Sequence, residues 1–175
     1  MMKSDVIGIN AGHAKIGSRG ASALMDEVVV NRKLKKWTIY YLRKMGYNAV
    51  DCTVAVGKSS GDVLNKIKKK SIKKHTTINV SIHLNSGGGN GVEIYLPTTT
   101  SIPKGEQFTK KLCQDFGFDD RGVKGVGTFY VNNHLTKGYL LEVGFVDSKM
   151  DKLIYDYYSC KEIGKSLAQC IIKYC

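Results

Sequence analysis

The stretch that decides the fold is Thr77-Ile78-Asn79-Val80-Ser81-Ile82-His83-Leu84-Asn85, in which apolar and polar residues alternate. Successive side chains of a β-strand point to opposite faces of its sheet, so this period of two predicts a strand. Ile78 and its apolar partners would face a core, and the polar face carries Ser81 and His83. Taken alone, His83 is either a hydrogen-bonded structural histidine or a member of a functional site.

Strands and helices alternate on both sides of this stretch. Short apolar runs predict further strands at residues 6–9, 48–53, 92–96, 128–131 and 138–145. Helical spacing of apolar residues predicts helices at 25–44, 60–74, 103–116 and 148–174. Ser159 and Glu162 are spaced as a capping box that can divide the last helix in two. The pattern indicates an α/β fold, with a twisted, mostly parallel sheet of about six strands and helices on both faces.

Composition indicates one globular domain with a strong positive charge. The 175 residues are 42% hydrophobic and 24% charged, and 27 Lys and Arg residues against 15 Asp and Glu give a net charge of +12. Such a charge favours a polyanionic partner: nucleic acid, an anionic membrane surface or a bacterial wall. The lysines have no interleaved aromatic residues, which argues against nucleic-acid readout. No apolar stretch approaches the ~18 residues of a membrane-spanning helix, so membrane insertion is excluded.

Cysteine usage and the first residues give further expectations. The five cysteines are widely spaced and form no Cys-x-x-Cys pair, which predicts free thiols rather than disulfides or a cysteine zinc site. The start of the chain passes from Met1-Met2-Lys3-Ser4-Asp5 into a short apolar segment, unlike a signal peptide. We therefore expect synthesis in a cytosol.

Glu142 is the charged residue that is hardest to explain by packing. It lies inside the apolar run Tyr139-Leu140-Leu141-Glu142-Val143-Gly144-Phe145, where a central strand is expected. An unpaired carboxylate is costly to bury, so a cation should lie nearby. Either a structural salt bridge meets that need, or the carboxylate is a general base whose pKa is tuned toward neutral pH.

Two further residues could join His83 in a site. His13 follows the first strand, at the sheet edge where ligands of open α/β folds bind, although a polar loop histidine is the simpler alternative. Glu27 begins the first long helix, where its charge is favourable against the helix dipole. Two histidines and a carboxylate on separate elements are also the ligand set of many catalytic zinc sites.

In order along the chain, five short motifs resemble those of the zinc-dependent N-acetylmuramoyl-L-alanine amidases, which cleave bacterial peptidoglycan. They are Ile7-Gly8-Ile9-Asn10-Ala11-Gly12-His13, Glu27 with Asn31, Ser81-Ile82-His83-Leu84-Asn85, Arg121-Gly122-Val123-Lys124 and Leu141-Glu142-Val143-Gly144-Phe145. The resemblance spans nearly the whole chain. It implies one catalytic domain over residues 1–175 without a separate wall-binding domain, as in a phage endolysin or a related bacterial autolysin.

The resemblance also implies a role for each candidate residue. His13, Glu27 and His83 would bind Zn²⁺, Glu142 would be the catalytic glutamate, and Arg121 would lie near the substrate. The implied reaction is hydrolysis of the amide between N-acetylmuramic acid and L-alanine by metal-activated water, with Glu142 as general base. The implied partner is peptidoglycan, and the positive charge favours a Gram-positive wall. Action on that wall would follow release from the cell or lysis.

Two other function classes are compatible with the sequence. A cysteine hydrolase would use Cys52 or Cys113 with one of the histidines, and it would be sensitive to thiol alkylation. A basic, non-catalytic module for wall polymer or nucleic acid would show strong salt dependence and release no peptide.

Overall fold

A computed structural model describes the whole chain, Met1–Cys175, around a central six-stranded sheet. In chain order the strands are β1 (Val6–Ala11), β2 (Ile16–Gly17), β3 (Asn48–Asp51), β4 (Val56–Gly57), β5 (Ile78–Asn85), β6 (Val92–Leu96), β7 (Asp120–Val126) and β8 (Gly138–Phe145). The sheet order is β3-β1-β5-β8-β6-β7, and β2 pairs separately with β4. In the six-stranded sheet, β3, β1, β5 and β8 run parallel to one another. Strand β6 runs antiparallel to β8, and β7 is parallel to β6.

Six helices cover the sheet. They are α1 (Glu27–Lys44), α2 (Ser60–Lys73), α3 (Ile102–Phe116), α4 (Tyr130–His134), α5 (Lys149–Tyr157) and α6 (Cys160–Tyr174). Helices α1 and α3 pack on one face of the sheet and α6 packs on both of them, whereas α2 and α4 contact each other on the opposite face. The predicted architecture, a mostly parallel sheet between two layers of helices, is confirmed. None of the helices combines the length and the hydropathy that crossing a membrane requires.

The buried apolar residues form two separate clusters, because the sheet has two covered faces. The large cluster includes Ile78, Val80, Ile82 and Leu84, the apolar face predicted for β5. The small cluster consists of Ala14, Val54, Val63, Ile67, Val131, Leu135 and Leu140. The polar face of β5 therefore points to the side of the small cluster, which carries the candidate site.

The last helical segment is divided as its capping box predicts. Ser159 Oγ accepts a hydrogen bond from the Glu162 backbone N–H at 3.3 Å, and Glu162 Oε2 accepts one from the Ser159 N–H at 2.9 Å. These bonds satisfy two of the free N–H groups at the start of α6. The chain therefore ends one helix at Tyr157 and begins another at Cys160.

One predicted strand is wrong, and three strands, β2, β4 and β7, were not predicted. Residues 128–131 do not form a strand, since α4 begins at Tyr130. The side chain of Asn132 stabilises this short helix, because its Nδ2 donates to the carbonyl oxygen of Gly138 at 2.7 Å. The strand of the main sheet in this region is β7, which lies at the sheet edge, has no fully buried residue and has two register shifts. These features remove the apolar alternation by which a strand is recognised.

Candidate active site

The candidate residues meet where the parallel strands end. His13 lies two residues beyond β1, and His83 lies near the end of the adjacent strand β5. Glu142 on β8 is the direct cross-strand partner of His83, so both side chains point to the same face of the sheet. Glu27 reaches the same edge from the first turn of α1. The structure therefore brings together these four candidate residues, which come from four separate parts of the chain.

His13, Glu27 and His83 form a compact group of possible metal ligands. Glu27 Oε1 lies 3.0 Å from His83 Nδ1 and 3.4 Å from His13 Nε2, and the three ligand atoms all lie within 4.8 Å of one another. The Glu27 side chain is almost fully buried, whereas that of His13 is 32% exposed. The group is thus anchored in the protein on one side and open to solvent on the other.

Glu27 is held as a carboxylate by the local structure of α1. Asp26 caps the helix by accepting from the Val29 N–H at 3.1 Å, which places Glu27 at the first helical position. Glu27 Oε2 accepts a hydrogen bond from the Ala21 N–H at 2.9 Å, and Glu27 Oε1 accepts one from Asn31 Nδ2 at 3.3 Å. Burial opposes ionisation of Glu27, but its hydrogen bond with His83 and the nearby imidazoles outweigh burial and lower its pKa. The Glu27 carboxyl group is therefore ionised near neutral pH.

A short hydrogen-bond relay orients the His83 ring. The Ser81 hydroxyl donates its proton to Asn10 Oδ1 at 2.7 Å, so Ser81 Oγ can only accept at its 3.0 Å contact with His83 Nε2. His83 therefore carries a proton on Nε2 and presents Nδ1 to Glu27. Burial lowers the pKa of His83, but Glu27 and Glu142 raise it overall in the metal-free protein.

His13 is held in a backbone conformation that few non-glycine residues adopt. Its φ of 59° lies in the left-handed region, and Arg32 Nη2 donates to its carbonyl oxygen at 3.1 Å. Burial, followed by the charge of His83, lowers the pKa of His13, which favours the neutral form that can bind a metal. Gly12 is required beside it, because a Cβ there would lie 2.1 Å from His83 Cε1.

Glu142 is a buried carboxyl group without a lysine or arginine beside it. Its Oε2 is buried and has no hydrogen-bond partner, and no lysine or arginine forms an ion pair with it. Burial raises the pKa of Glu142 to about 7; the charge of His83 opposes this shift, and the charges of Glu27 and Glu93 add to it. The geometry thus disfavours the structural salt bridge and favours a group that exchanges protons near neutral pH.

Glu93 is a charged residue of this region that the sequence reasoning missed. It is 2% exposed on β6, directly opposite Glu142. Arg121 Nε donates to its Oε2 at 2.5 Å, and Asn85 Nδ2 donates to its Oε1 at 2.9 Å. The guanidinium of Arg121 also lies 4.9 Å from the centre of the Phe145 ring. A glutamate inside the apolar run of residues 92–96 was the available signal, the same one that singled out Glu142.

The cysteines lie outside this group. All five are free thiols, as predicted. A hollow opens beside His13 and His83, and neither Cys52 nor Cys113 lines it. Burial raises the pKa of Cys52, and it raises the pKa of Cys113 to about 12. A thiol that stays protonated and lies away from the histidines is a poor nucleophile.

Comparison with known proteins identifies the family. A family model described as N-acetylmuramoyl-L-alanine amidase matches residues 7–173. The chain belongs to this family. An uncharacterised cell wall amidase of Bacillus anthracis is 32% identical over 160 residues, which are 82% of this chain and 29% of that protein. An uncharacterised protein of Clostridium perfringens is 27% identical over 173 residues, 94% of this chain and 51% of that protein. The amidase chain thus spans about half or less of the length of these curated relatives.

Three solved structures, one of them named as an N-acetylmuramoyl-L-alanine amidase, have the same fold. The catalytic domain of the CD27L endolysin targeting Clostridia difficile gives a TM-score of 0.78 at 21% identity, covering 96% of this chain and 97% of that one. Cwp6 from Clostridium difficile gives 0.79 at 24% identity, covering 97% of this chain and 29% of that one. The amidase AmiC2 of Nostoc punctiforme gives 0.76 at 21% identity, covering 97% and 96%.

Proposed function

We propose that this member of the amidase family is a zinc-dependent hydrolase of the amide bond between N-acetylmuramic acid and L-alanine in peptidoglycan. The observation that carries the proposal is the His13, Glu27 and His83 group, with its ligand atoms within 4.8 Å, beside the unpaired carboxyl of Glu142. The family match and the likeness to a cell wall amidase of Bacillus anthracis support the same activity.

The donor set fits zinc. Two imidazole nitrogens and one carboxylate oxygen are typical ligands of catalytic zinc sites, which leave further positions to water and substrate. His83 presents Nδ1 because Ser81 occupies Nε2, and the low pKa of Glu27 keeps its oxygens available. When bound there, zinc supplies Lewis acidity, which polarises the amide carbonyl and makes a water molecule more acidic.

Glu142 would move the proton in this reaction. As a carboxylate it accepts a proton from the attacking water, and as a carboxylic acid it returns that proton to the leaving nitrogen as the C–N bond breaks. The products are the muramyl carboxylate and the free amino group of L-alanine. A pKa of about 7 suits both steps, because neither form is strongly favoured near neutral pH.

Arg121 would bind a carboxylate of the peptide stem. Glu93 accepts from its Nε, and neither of its Nη groups has a hydrogen-bond partner within the protein. The Glu93 contact and the Phe145 ring restrain the guanidinium, which leaves both Nη groups free to donate to a substrate. The side chain is 33% exposed, so a substrate can reach it.

The partner we propose is the peptidoglycan of a Gram-positive wall, without nucleic-acid binding or membrane insertion. A net charge of +12 suits an anionic wall polymer. The endolysin with this fold is described as targeting Clostridia difficile, which supports the same class of wall.

Mass spectrometry of digested peptidoglycan tests the proposed reaction. We expect new L-alanine amino termini with intact glycan strands, and new reducing sugars instead would contradict the amidase assignment. Glu142→Gln should abolish hydrolysis while zinc still binds, because none of the three ligands changes. Glu106→Gln, at an exposed glutamate of α3, is the matched control and should retain full activity.

A further inference from the structure

A hollow of about 330 Å³ extends from the candidate site into the protein. It begins at His13, His83 and Glu142 and continues between α2 and α4, on the face of the sheet that the small cluster covers. None of the roles proposed above uses this space. Its size is in the range of pockets that bind small molecules.

The inner wall of the hollow is apolar. It is formed by residues of α2, α4 and β8, namely Val63, Leu64, Ile67, Val131 and Leu140. Four of these belong to the small cluster, and the fifth, Leu64, packs against it. At the outer part, the hydroxyls of Ser18 and Ser60 lie 3.0 Å apart and can bond to a polar group. The hollow thus offers an apolar base and a hydroxyl-bearing rim.

No lysine or arginine lines the hollow, although the protein carries a net charge of +12. Apart from the Tyr130 phenol, its ionisable lining groups are His13, His83 and Glu142 at the reaction end. A carboxylate placed against the apolar wall would lose its hydration without gaining a cation, which is costly. The group that fills the hollow is therefore uncharged, and it is larger than a single methyl group.

We propose that this hollow binds the amino-sugar side of the scissile amide, with the lactyl and acetamido methyl groups against the apolar wall. The proposal rests on the proposed amidase function. The hydroxyls of Ser18 and Ser60 would bond to polar atoms of the sugar, and the ring of Phe129 at the rim can pack on its apolar face.

The peptide side of the substrate would extend away from the hollow, toward Arg121. A peptide stem carries carboxylates, for which the hollow has no cation. Along the sheet, Glu142 is followed by Glu93 on β6 and then by Arg121 on β7. A stem that leaves Glu142 across β6 reaches the free donors of Arg121, whereas the hollow runs between α2 and α4.

Methyl NMR of the full chain tests this assignment without turnover. The probes are the neutral methylamide of N-acetylmuramic acid and the peptide L-alanyl-D-isoglutamate. We expect the muramyl probe to shift the methyl signals of Val63, Leu64, Ile67 and Val131, and the peptide to leave them unchanged. Shifts caused by the peptide alone, or by neither probe, would overturn the proposal.

A substrate pair tests the same point during catalysis. We expect Leu64→Lys to raise KM roughly tenfold for a muramyl peptide, because it places a charge in the apolar wall, and to raise it less for a lactoyl peptide, which keeps the lactyl methyl but lacks the sugar. Ile72→Lys, at an exposed apolar residue of the same helix, should change neither. Equal losses with both substrates would contradict the assignment. If the wild type cleaved no amide while the muramyl probe still shifted the methyls, the proposed function alone would fail.

Discussion

Ser81 determines which nitrogen His83 offers to a metal. Its hydroxyl lies between Asn10 Oδ1 and His83 Nε2, at 2.7 and 3.0 Å. Outer hydrogen bonds of this kind fix the tautomer and orientation of ligating histidines, and their loss typically weakens metal binding about 10–100-fold. We expect Ser81→Ala to lower zinc affinity by that factor without unfolding the protein.

Competition with a chelating dye would measure this change in affinity. Ser86→Ala, at an exposed serine in the loop after the same strand, should bind zinc like the wild type. Equal zinc affinity of the two variants would show that Ser81 does not orient the ligand.

The raised pKa of Glu142 predicts a conflict between stability and function. In the unfolded chain this carboxyl ionises near its ordinary pKa of 4.5, whereas in the metal-free folded protein it ionises only near 7. Below pH 4 both states are protonated and the residue has no effect on stability. Above pH 7 both are ionised, and the folded state carries the full cost of the buried charge.

Glu142→Gln should therefore make the metal-free protein more stable at pH 8, by about 1–3 kcal/mol, and this gain should vanish toward pH 4. Urea unfolding with a chelator present, at both pH values, measures the difference. Glu106→Gln removes an exposed carboxylate and should show no such pH dependence. A variant that is less stable than the wild type at pH 8 would refute the buried-charge argument.

At the scale of elements, the site depends on how closely β1 approaches β5. The two strands are paired up to Ala11 and Ile82, and Gly12 follows directly. A methyl group at Gly12 would overlap the His83 ring, so Gly12→Ala must displace that ring. We expect the variant to keep its helix and strand content and to lose zinc affinity at least tenfold.

Circular dichroism and zinc titration together would check this prediction. Gly61→Ala in α2 is the matched control, since its nearest neighbouring atom would lie 3.9 Å away. It should bind zinc normally and be slightly more stable, because alanine favours the helix. Normal zinc binding by Gly12→Ala would contradict the prediction, because it would show that the ends of β1 and β5 can separate without any loss of zinc affinity.

Elements with a strong apolar period could be predicted from the sequence, and elements held by other contacts could not. The alternation around Ile82 identified β5, and the capping box at Ser159 identified the break before α6. The residues of β7 lie at an edge and none is fully buried, so no buried face leaves a pattern in them. The Glu93–Arg121 pair was also missed, because it joins residues 28 positions apart in the chain.

The four main candidate residues were each ambiguous in the sequence until the resemblance placed them in order. The structure resolves part of that ambiguity through geometry: His13 and Glu27 lie on different elements but converge at one sheet edge. Their distances follow from strand pairing and helix capping, which depend on contacts between remote parts of the chain.

For the molecule as a whole, a thiol-alkylating reagent and a metal chelator should differ in their effect on activity, because the thiols are buried and the proposed site needs a metal. Burial raises the pKa values of Cys113 and Cys170 to about 12, so their reactive thiolates are scarce at pH 8. We expect iodoacetamide to leave wall hydrolysis unchanged. A chelator should abolish it, and added zinc should restore it. Inactivation by iodoacetamide alone would favour the cysteine hydrolase.

The overall charge predicts a difference between large and small substrates. A net charge of +12 attracts the anionic wall at long range, and salt screens this attraction. We expect wall hydrolysis to slow severalfold between 50 and 500 mM salt, while hydrolysis of a soluble muramyl peptide changes little. The same salt response for both substrates would show that the charge does not serve wall capture.

The separation of the small cluster from the large one has a consequence for local opening. The seven buried residues of the small cluster are not part of the large apolar cluster, so the layer of α2 and α4 can open while the sheet remains folded. In hydrogen exchange, we expect amides of α2 to exchange through this partial opening, and those of β1 and β5 only through global unfolding. A ligand in the hollow would slow exchange in α2 alone. Substrate preference could therefore change by mutation in this layer at little cost to the stability of the fold.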